Sequence, residues 1–185
     1  QISNSYKISA VISETSFIKP SFETHHKFED FREKYEIENL LGGKLVDFKD
    51  YSLEYSVESI NDSKCYEIIK SIEPDIILTF GTGIIRRHII NLCPDGFLNL
   101  HGGCPENYRG LDTHMWAIYH KEFNQLITTL HILEPRLDAG NIVSQKMIFL
   151  SKNKKIYQLR AQNTEICVEL SISAIDYFNK NGYFK

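Results

Sequence analysis

Asn99 and His101 are the residues best suited to do chemistry in this chain. They lie two apart at the carboxyl end of an expected strand, so both side chains project to one side, toward the crevice where open α/β sheets bind ligands. An amide N–H donor beside an imidazole suits acyl transfer: the amide holds a developing oxyanion, and the imidazole handles a proton or adds a hydrogen bond. The same pair also fits plain structural hydrogen bonding at a strand end. Asp138, in Leu137-Asp138-Ala139-Gly140, has two readings as well. A loop carboxylate organises a turn with the glycine that follows. Beside an imidazole it orients the ring, raises its basicity and relays a proton through water.

The stretch from Asn99 to Trp116 is dense in polar and aromatic groups, among them Gly102, Gly103, Pro105, Tyr108, Arg109 and Gly110. Arg109 suits a phosphate or hydroxyl, or else orders its own loop. Gly81-Thr82-Gly83 is half of a dinucleotide fingerprint. Arg86 stands where the third glycine belongs, and the strand before it is not the first in the chain, which argues against a nicotinamide site. A glycine turn remains, or a turn whose backbone lets a flat heteroaromatic ligand approach closely. His25 and His26 sit in a polar loop and are expected to be solvated. His114 and His120 flank the Trp116 helix and are expected to cap it or face solvent; their spacing is not the three or four of a helix-face metal pair. His131 is either a satisfied core histidine or part of the wall of the site.

The elements that must hold these groups follow from periodicity. Apolar runs at 8–12, 76–80, 97–100, 127–133 and 142–148 read as strands, the second as a buried central parallel one. Helical spacing marks a charged segment through Phe28, Phe31, Tyr35 and Ile37 that Gly42 and Gly43 end, and a second segment over 59–73 that Pro74 stops. Further helices are expected over 84–92 and 115–121. A C-terminal helix, with a possible interruption, runs through Ile156, Leu159, Ile166, Leu170 and Phe178. Strands alternating with helices imply one α/β domain over 1–185 with a mainly parallel, doubly wound sheet.

Composition bounds the rest. The chain has 185 residues, 42% of them hydrophobic and 24% charged, with a net charge of -3. That balance builds a core without staples, and it is neither basic enough for unaided nucleic-acid binding nor polar enough for disorder. No apolar run approaches the ~20 residues of a membrane span, and no signal peptide opens the chain, so a cytoplasmic location is expected. Cys65, Cys93, Cys104 and Cys167 show no CxxC spacing and are expected to be free thiols. Gln1 is not a translation start, so an upstream segment, natural or from a tag, is expected to be missing.

Taken in order, Asn99-Leu100-His101, Pro105 to Gly110, Trp116-Ala117-Ile118, Thr129-Leu130-His131 and Asp138-Ala139-Gly140 resemble the motifs of the folate-dependent formyltransferases. That family includes glycinamide ribonucleotide transformylase, methionyl-tRNA formyltransferase and the sugar N-formyltransferases. Together with 74–85 the resemblance covers roughly residues 8–150. It implies a Rossmann-like domain that transfers a formyl group from 10-formyltetrahydrofolate to a primary amine, without a metal. It also implies roles: Asn99 donates to the oxyanion, His101 stabilises it or takes a proton, and Asp138 positions His101 and helps move protons. The pteridine pocket would be Gly83, Ile84 and Ile85 with the loop from Glu134 through Leu137 to Asp138. Tyr108, Arg109 and Trp116 would meet the acceptor.

Three departures stand out. Gly102 replaces a common proline, which should loosen the substrate loop. Ile127 stands where a glycine often precedes the Thr-x-His strand. The family's first strand and helix would precede residue 1, so the sheet is expected to lack a central strand. Tyr108-Arg109-Gly110 with Trp116 looks more like the sugar and methionyl-tRNA branches, while the acidic net charge and the roughly 35 residues after Leu150 disfavour holding tRNA. A nucleotide-linked amino sugar is therefore the expected acceptor, with the glycinamide ribonucleotide and methionyl-tRNA activities as alternatives. A catalytically silent folate or nucleotide-sugar binding module and a formate-releasing hydrolase are the readings from other classes. A homodimer is a further expectation.

Overall fold

The computed structural model describes residues 1–16 and 27–184, so the expected loop at His25 and His26 lies outside the described residues. Its chain order is β1 (Ala10–Glu14), α1 (Phe28–Leu40), β2 (Leu53–Val57), α2 (Ser63–Ile72), β3 (Ile77–Phe80), α3 (Arg87–Ile90), β4 (Phe97–His101), α4 (Thr113–Tyr119), β5 (Ile127–Ile132), β6 (Ile142–Met147) and α5 (Leu159–Asn181). The α/β alternation is the Rossmann-like one read from the sequence. Helix ends follow local chemistry. Asp62 caps α2 by accepting from Cys65 N, and Glu73, left-handed at φ 49°, closes it ahead of Pro74.

Some boundaries differ from expectation for identifiable reasons. β1 starts two residues later than the apolar run, because Ala10 to Glu14 pair with Leu53 to Val57. β2 is an addition to the expected strands: Leu53, Tyr55 and Val57 alternate with Glu54 and Ser56, but the run is only five residues long and its first two residues are exposed. The helix expected over 84–92 shrinks to α3, because Asn61 captures the backbone of Ile84 and Arg86 and holds that stretch extended. α5 runs uninterrupted.

β1 and β2 form a parallel pair, and β3, β4, β5 and β6 form a second sheet in that order. β3 and β4 are parallel, while β5 and β6 join antiparallel. No helix lies between β5 and β6, so the chain can only return as a hairpin. Among the described residues no ladder joins β1 to β3, and the strand that the resemblance places between them is not among those elements. A core shared by both sheets bridges the interruption: Val57, Cys65, Ile69, Ile85, Ile89 and Phe97 pack together, with Ile12 and Ile77 against them. On the other side α5 covers β5 and β6, with Leu98, Leu126, Leu130, Leu159, Ile166 and Leu170 as a second cluster. A fully buried side chain such as Phe97 or Leu130 contributes roughly 2 kcal/mol.

Because β5 is antiparallel to β4, the connection 102–126 begins and ends at the carboxyl end of β4. That puts the Tyr108 to Trp116 segment at the same end as His101. The 133–141 connection leaves β5 at the opposite end and folds back over the sheet face, pressed close enough that a Cβ on Gly140 would lie 1.7 Å from the Ile132 carbonyl oxygen. Only glycine fits there. No helix among the described residues is long and apolar enough to cross a membrane.

Candidate active site

Cross-strand register places three polar side chains in one row: Thr79 on β3 faces Asn99 on β4, which faces His131 on β5. A bulge between Leu130 and His131 re-aims the histidine at that point. Thr79 Oγ1 lies 2.9 Å from Asn99 Oδ1, and Asn99 Nδ2 lies 3.1 Å from His131 Nε2. Asn99 and His101, two apart, share the face onto which the 133–141 loop folds. Asp138 there has φ 45°, a backbone conformation that Asp tolerates better than most residues.

The structure brings the three expected groups together. Asp138 Oδ1 is 3.4 Å from Asn99 Nδ2, and Oδ2 is 3.5 Å from His101 Nδ1. The carboxylate is only 8% exposed, and its Oδ2 accepts from Gly110 N at 2.8 Å. Burial acts to raise the Asp138 carboxyl, yet its neighbours His131, Gly110 N–H and His101 leave it below the usual value. His101 is displaced downward chiefly by burial, against the pull of Asp138. Its Nε2–H donates to Tyr108 O at 2.8 Å, since a carbonyl only accepts. Nδ1, facing the carboxylate, is therefore the basic nitrogen of the neutral ring, a position for taking up a proton next to an anion that favours it.

The surrounding turn is tightly held. Thr113 Oγ1 donates to Gly102 O, and Thr129 Oγ1 donates to Gly103 O at 2.7 Å. These two threonines tie down the loop that the Gly102 departure was expected to loosen. A Cβ on Gly103 would lie 2.8 Å from His101 Nε2, so the second glycine admits the imidazole. Ile127 opens β5 without harm, its carbonyl accepting from His114 Nε2 at 2.8 Å. His114 corrects the solvent-facing expectation: α4 begins at Thr113, and the ring is buried against Gly102 and β5.

The other expected site residues are placed less uniformly. Ile85 puts its side chain in the core at 2% exposure, which leaves only its backbone for a ligand. Ile84 projects outward, but its carbonyl already accepts from Asn61 Nδ2 at 2.9 Å. Gly83 is open, with no atom nearer than 3.9 Å to an added Cβ. Glu134 faces Arg136 at 3.5 Å, and Leu137 is exposed on the loop beside Gly110. Arg109 donates to Pro105 O at 2.7 Å and otherwise faces solvent, so it orders its own loop. Tyr108 does not offer a free hydroxyl: its OH meets His120 Nδ1 at 2.9 Å and donates to Glu122 at 2.6 Å, and its pKa is pushed up to about 12, mainly by Glu122. Trp116 is exposed, edge-on to Tyr119 and tilted toward His120. Thr79 and Asn61 went unremarked in the sequence; neither belongs to a local pattern, and only register reveals them.

The chain belongs to the formyl transferase family, which it matches over residues 18–175. Solved structures with the same fold include phosphoribosylglycinamide formyltransferase from Bacillus halodurans, at 14% identity and a TM-score of 0.56, covering 88% of this chain and 90% of that one. The formyltransferase PseJ from Anoxybacillus kamchatkensis, in complex with UDP-4,6-dideoxy-4-formamido-L-AltNAc and tetrahydrofolate, is 18% identical with a TM-score of 0.55, covering 75% of this chain and 70% of that one. HypX from Aquifex aeolicus in complex with tetrahydrofolic acid matches 96% of this chain over 28% of its own length, at 18% identity and a TM-score of 0.61.

Proposed function

We propose that this chain transfers a formyl group from 10-formyltetrahydrofolate to the primary amine of a nucleotide-linked amino sugar. The observation that carries the reading is the convergence of an amide donor, a buried imidazole and a carboxylate on one point of the sheet face. The folate supplies the activated formyl group when bound. Exposed Phe80 and Ile84 on one side of the site sequence and exposed Leu137 on the other offer the apolar surfaces a pteridine fits, and open Gly83 gives access to backbone between them.

The chain's own residues then have defined tasks. Asn99 Nδ2 donates to the formyl oxygen as negative charge develops there, an interaction worth most in a site already closed to water. His101 Nδ1, facing Asp138, takes the proton that the amine loses. Asp138 stabilises the resulting imidazolium. In the exchange one C–N bond to the acceptor forms, the C–N bond to the folate breaks, and one proton passes from acceptor nitrogen to the departing nitrogen. Exposed Trp116 with Tyr119 supplies a surface for a nucleotide or sugar ring beside the carboxyl end of β4. PseJ, with a UDP-linked formamido sugar in its structure, has the same fold, so the fold accommodates that acceptor class. The net charge of -3 supports it over tRNA.

The deciding experiment incubates the chain with 10-formyltetrahydrofolate and, separately, a UDP-linked 4-amino-4,6-dideoxy sugar, glycinamide ribonucleotide and methionyl-tRNA, following tetrahydrofolate release. Turnover with the sugar alone is expected. Turnover confined to either other acceptor replaces the substrate assignment, and folate release without any acceptor points to the hydrolase.

A further inference from the structure

The row Thr79, Asn99, His131 crosses three neighbouring strands, and donor and acceptor chemistry constrains its hydrogen bonds. Ile132 O can only accept, so His131 Nδ1, 2.9 Å away, carries a hydrogen. Asn99 has two possible orientations, since its amide oxygen and nitrogen exchange places on a flip. In one, Nδ2 donates to an unprotonated His131 Nε2 and Oδ1 accepts from the Thr79 hydroxyl. In the other, Oδ1 faces His131, which must then carry hydrogen on both ring nitrogens. The second orientation also sets Oδ1 3.4 Å from Asp138 Oδ1, two acceptors face to face. Gly110 N–H, donating at 2.8 Å, favours the ionised form of that carboxylate and makes the clash worse. The first orientation replaces it with the longer 3.7 Å approach of the unprotonated His131 Nε2 to the same carboxylate oxygen.

We propose that Thr79 and His131 are positioning residues that clamp the Asn99 amide from both sides, holding Nδ2 toward Asp138 and the reacting carbon. All three donors of the row point the same way: Thr79 to Asn99, Asn99 to His131, His131 to Ile132 O. One Nδ2 hydrogen is taken by His131 in a bond of 3.1 Å. The second is engaged only by the 3.4 Å approach to Asp138, and that hydrogen is the one free to follow the oxyanion. Thr79 is 6% exposed and His131 is 1% exposed, so both partners of the amide are held out of water. Thr79 also lies 3.0 Å from Leu98 O, which competes for its single hydrogen; the arrangement with Asn99 accepting is the one that leaves Nδ2 turned inward.

The inference rests on Asn99 acting as the oxyanion donor, and the test separates the two ideas. Thr79→Val removes the hydroxyl at nearly constant shape, Thr79→Ser keeps it, and Asn99→Ala removes the donor itself. With 10-formyltetrahydrofolate and a UDP-linked 4-amino-4,6-dideoxy sugar, Thr79→Val is expected to lower kcat about 10-fold, with KM for the folate changed by less than about 2-fold. Thr79→Ser should stay within about 3-fold of the unaltered chain. A Thr79→Val enzyme with unaltered kcat, beside an impaired Asn99→Ala, overturns the clamp alone; an unimpaired Asn99→Ala overturns the catalytic reading itself. Independently of any substrate, and even if Thr79→Val does not fold, ¹⁵N NMR of the unliganded chain at neutral pH should show His131 neutral and protonated on Nδ1. A ring protonated on Nε2, singly or with Nδ1, means the reversed amide and ends the proposal.

Discussion

The backbone N–H of Gly110 donates to Asp138 Oδ2 at 2.8 Å, so two loops 28 residues apart in sequence hold one carboxylate between them. One loop carries the Arg-Gly segment and the other the Asp-x-Gly segment. The shared bond explains why the two motifs act as a unit: the glycine's amide takes one carboxylate oxygen, which leaves the other to face Asn99 and His131.

On the proposed function, Asn99→Ala and Asp138→Asn should leave folate binding largely intact while lowering kcat about 100-fold or more, because that reading puts the folate on backbone and apolar groups and these side chains on the reacting atoms. Asn at position 138 keeps a residue type that tolerates φ 45°, so the variant tests charge and not backbone. Single-turnover rates and equilibrium folate titration separate the two effects. An unchanged single-turnover rate in either variant contradicts the assignment.

Acid should destabilise the unliganded chain, with a sign fixed by burial. His101 and His114 sit below the usual 6.5 because they are buried, so the unfolded chain binds their protons more readily. Stability is therefore lost as pH falls through 6.5. Asp138, held below 3.8, stabilises the fold above that value and loses its contribution as pH falls through its lower folded value. Both trends make stability rise with pH. Thermal melts between about pH 7.5 and 5.5 should show Tm falling, and His114→Gln, which keeps a donor for Ile127 O, should fall less. A flat profile in the unaltered chain contradicts the burial argument.

Gly140→Ala should destabilise by ~3 kcal/mol or more, since the new methyl lands on the β5 backbone, which cannot yield as a side chain end would. Gly83→Ala, whose added carbon meets nothing nearer than 3.9 Å, should change stability by less than about 0.5 kcal/mol. Denaturant unfolding of both variants checks the contrast. If the two are equally stable, the 133–141 loop does not pack as described.

Tetrahydrofolate or 5-formyltetrahydrofolate should raise Tm, and NAD should not, because the Gly81-Thr82-Gly83 turn has Arg86 where a dinucleotide site needs glycine. At a ligand concentration 100 times Kd the stabilisation is ~2.7 kcal/mol. A shift with NAD and none with either folate would falsify the cofactor assignment.

Much of this site was legible in the sequence because it is built from local patterns. Asn99 and His101 share a face by strand alternation, and Asp138-Ala139-Gly140 names its own turn. Thr79 was illegible for the opposite reason: a threonine in an apolar strand reads as a β-former, and only the register against Asn99 gives it a task. The direction of the Ile85 side chain was also illegible, because the Gly-rich turn hides which way the next side chain falls; it falls inward and leaves its backbone for a ligand. β2 escaped although Leu53, Tyr55 and Val57 alternate with polar residues, because the run is only five residues long and buries just its last side chain, Val57.

The four buried cysteines give the fold a built-in clock. Burial pushes the Cys65 thiol up to about 11 and the Cys167 thiol up to about 12, so neither forms much thiolate at neutral pH and neither reacts with an alkylating reagent while its surroundings stay closed. Cys65 and Cys93 sit in the core that spans the two sheets, whereas Cys167 lies on α5 next to Ile166 of the other cluster. With no strand ladder joining β1 to β3 among the described residues, side chains hold the first core across that seam. Its thiols would be labelled first as the chain breathes, and the order in which mass increments appear would time the opening of each half separately.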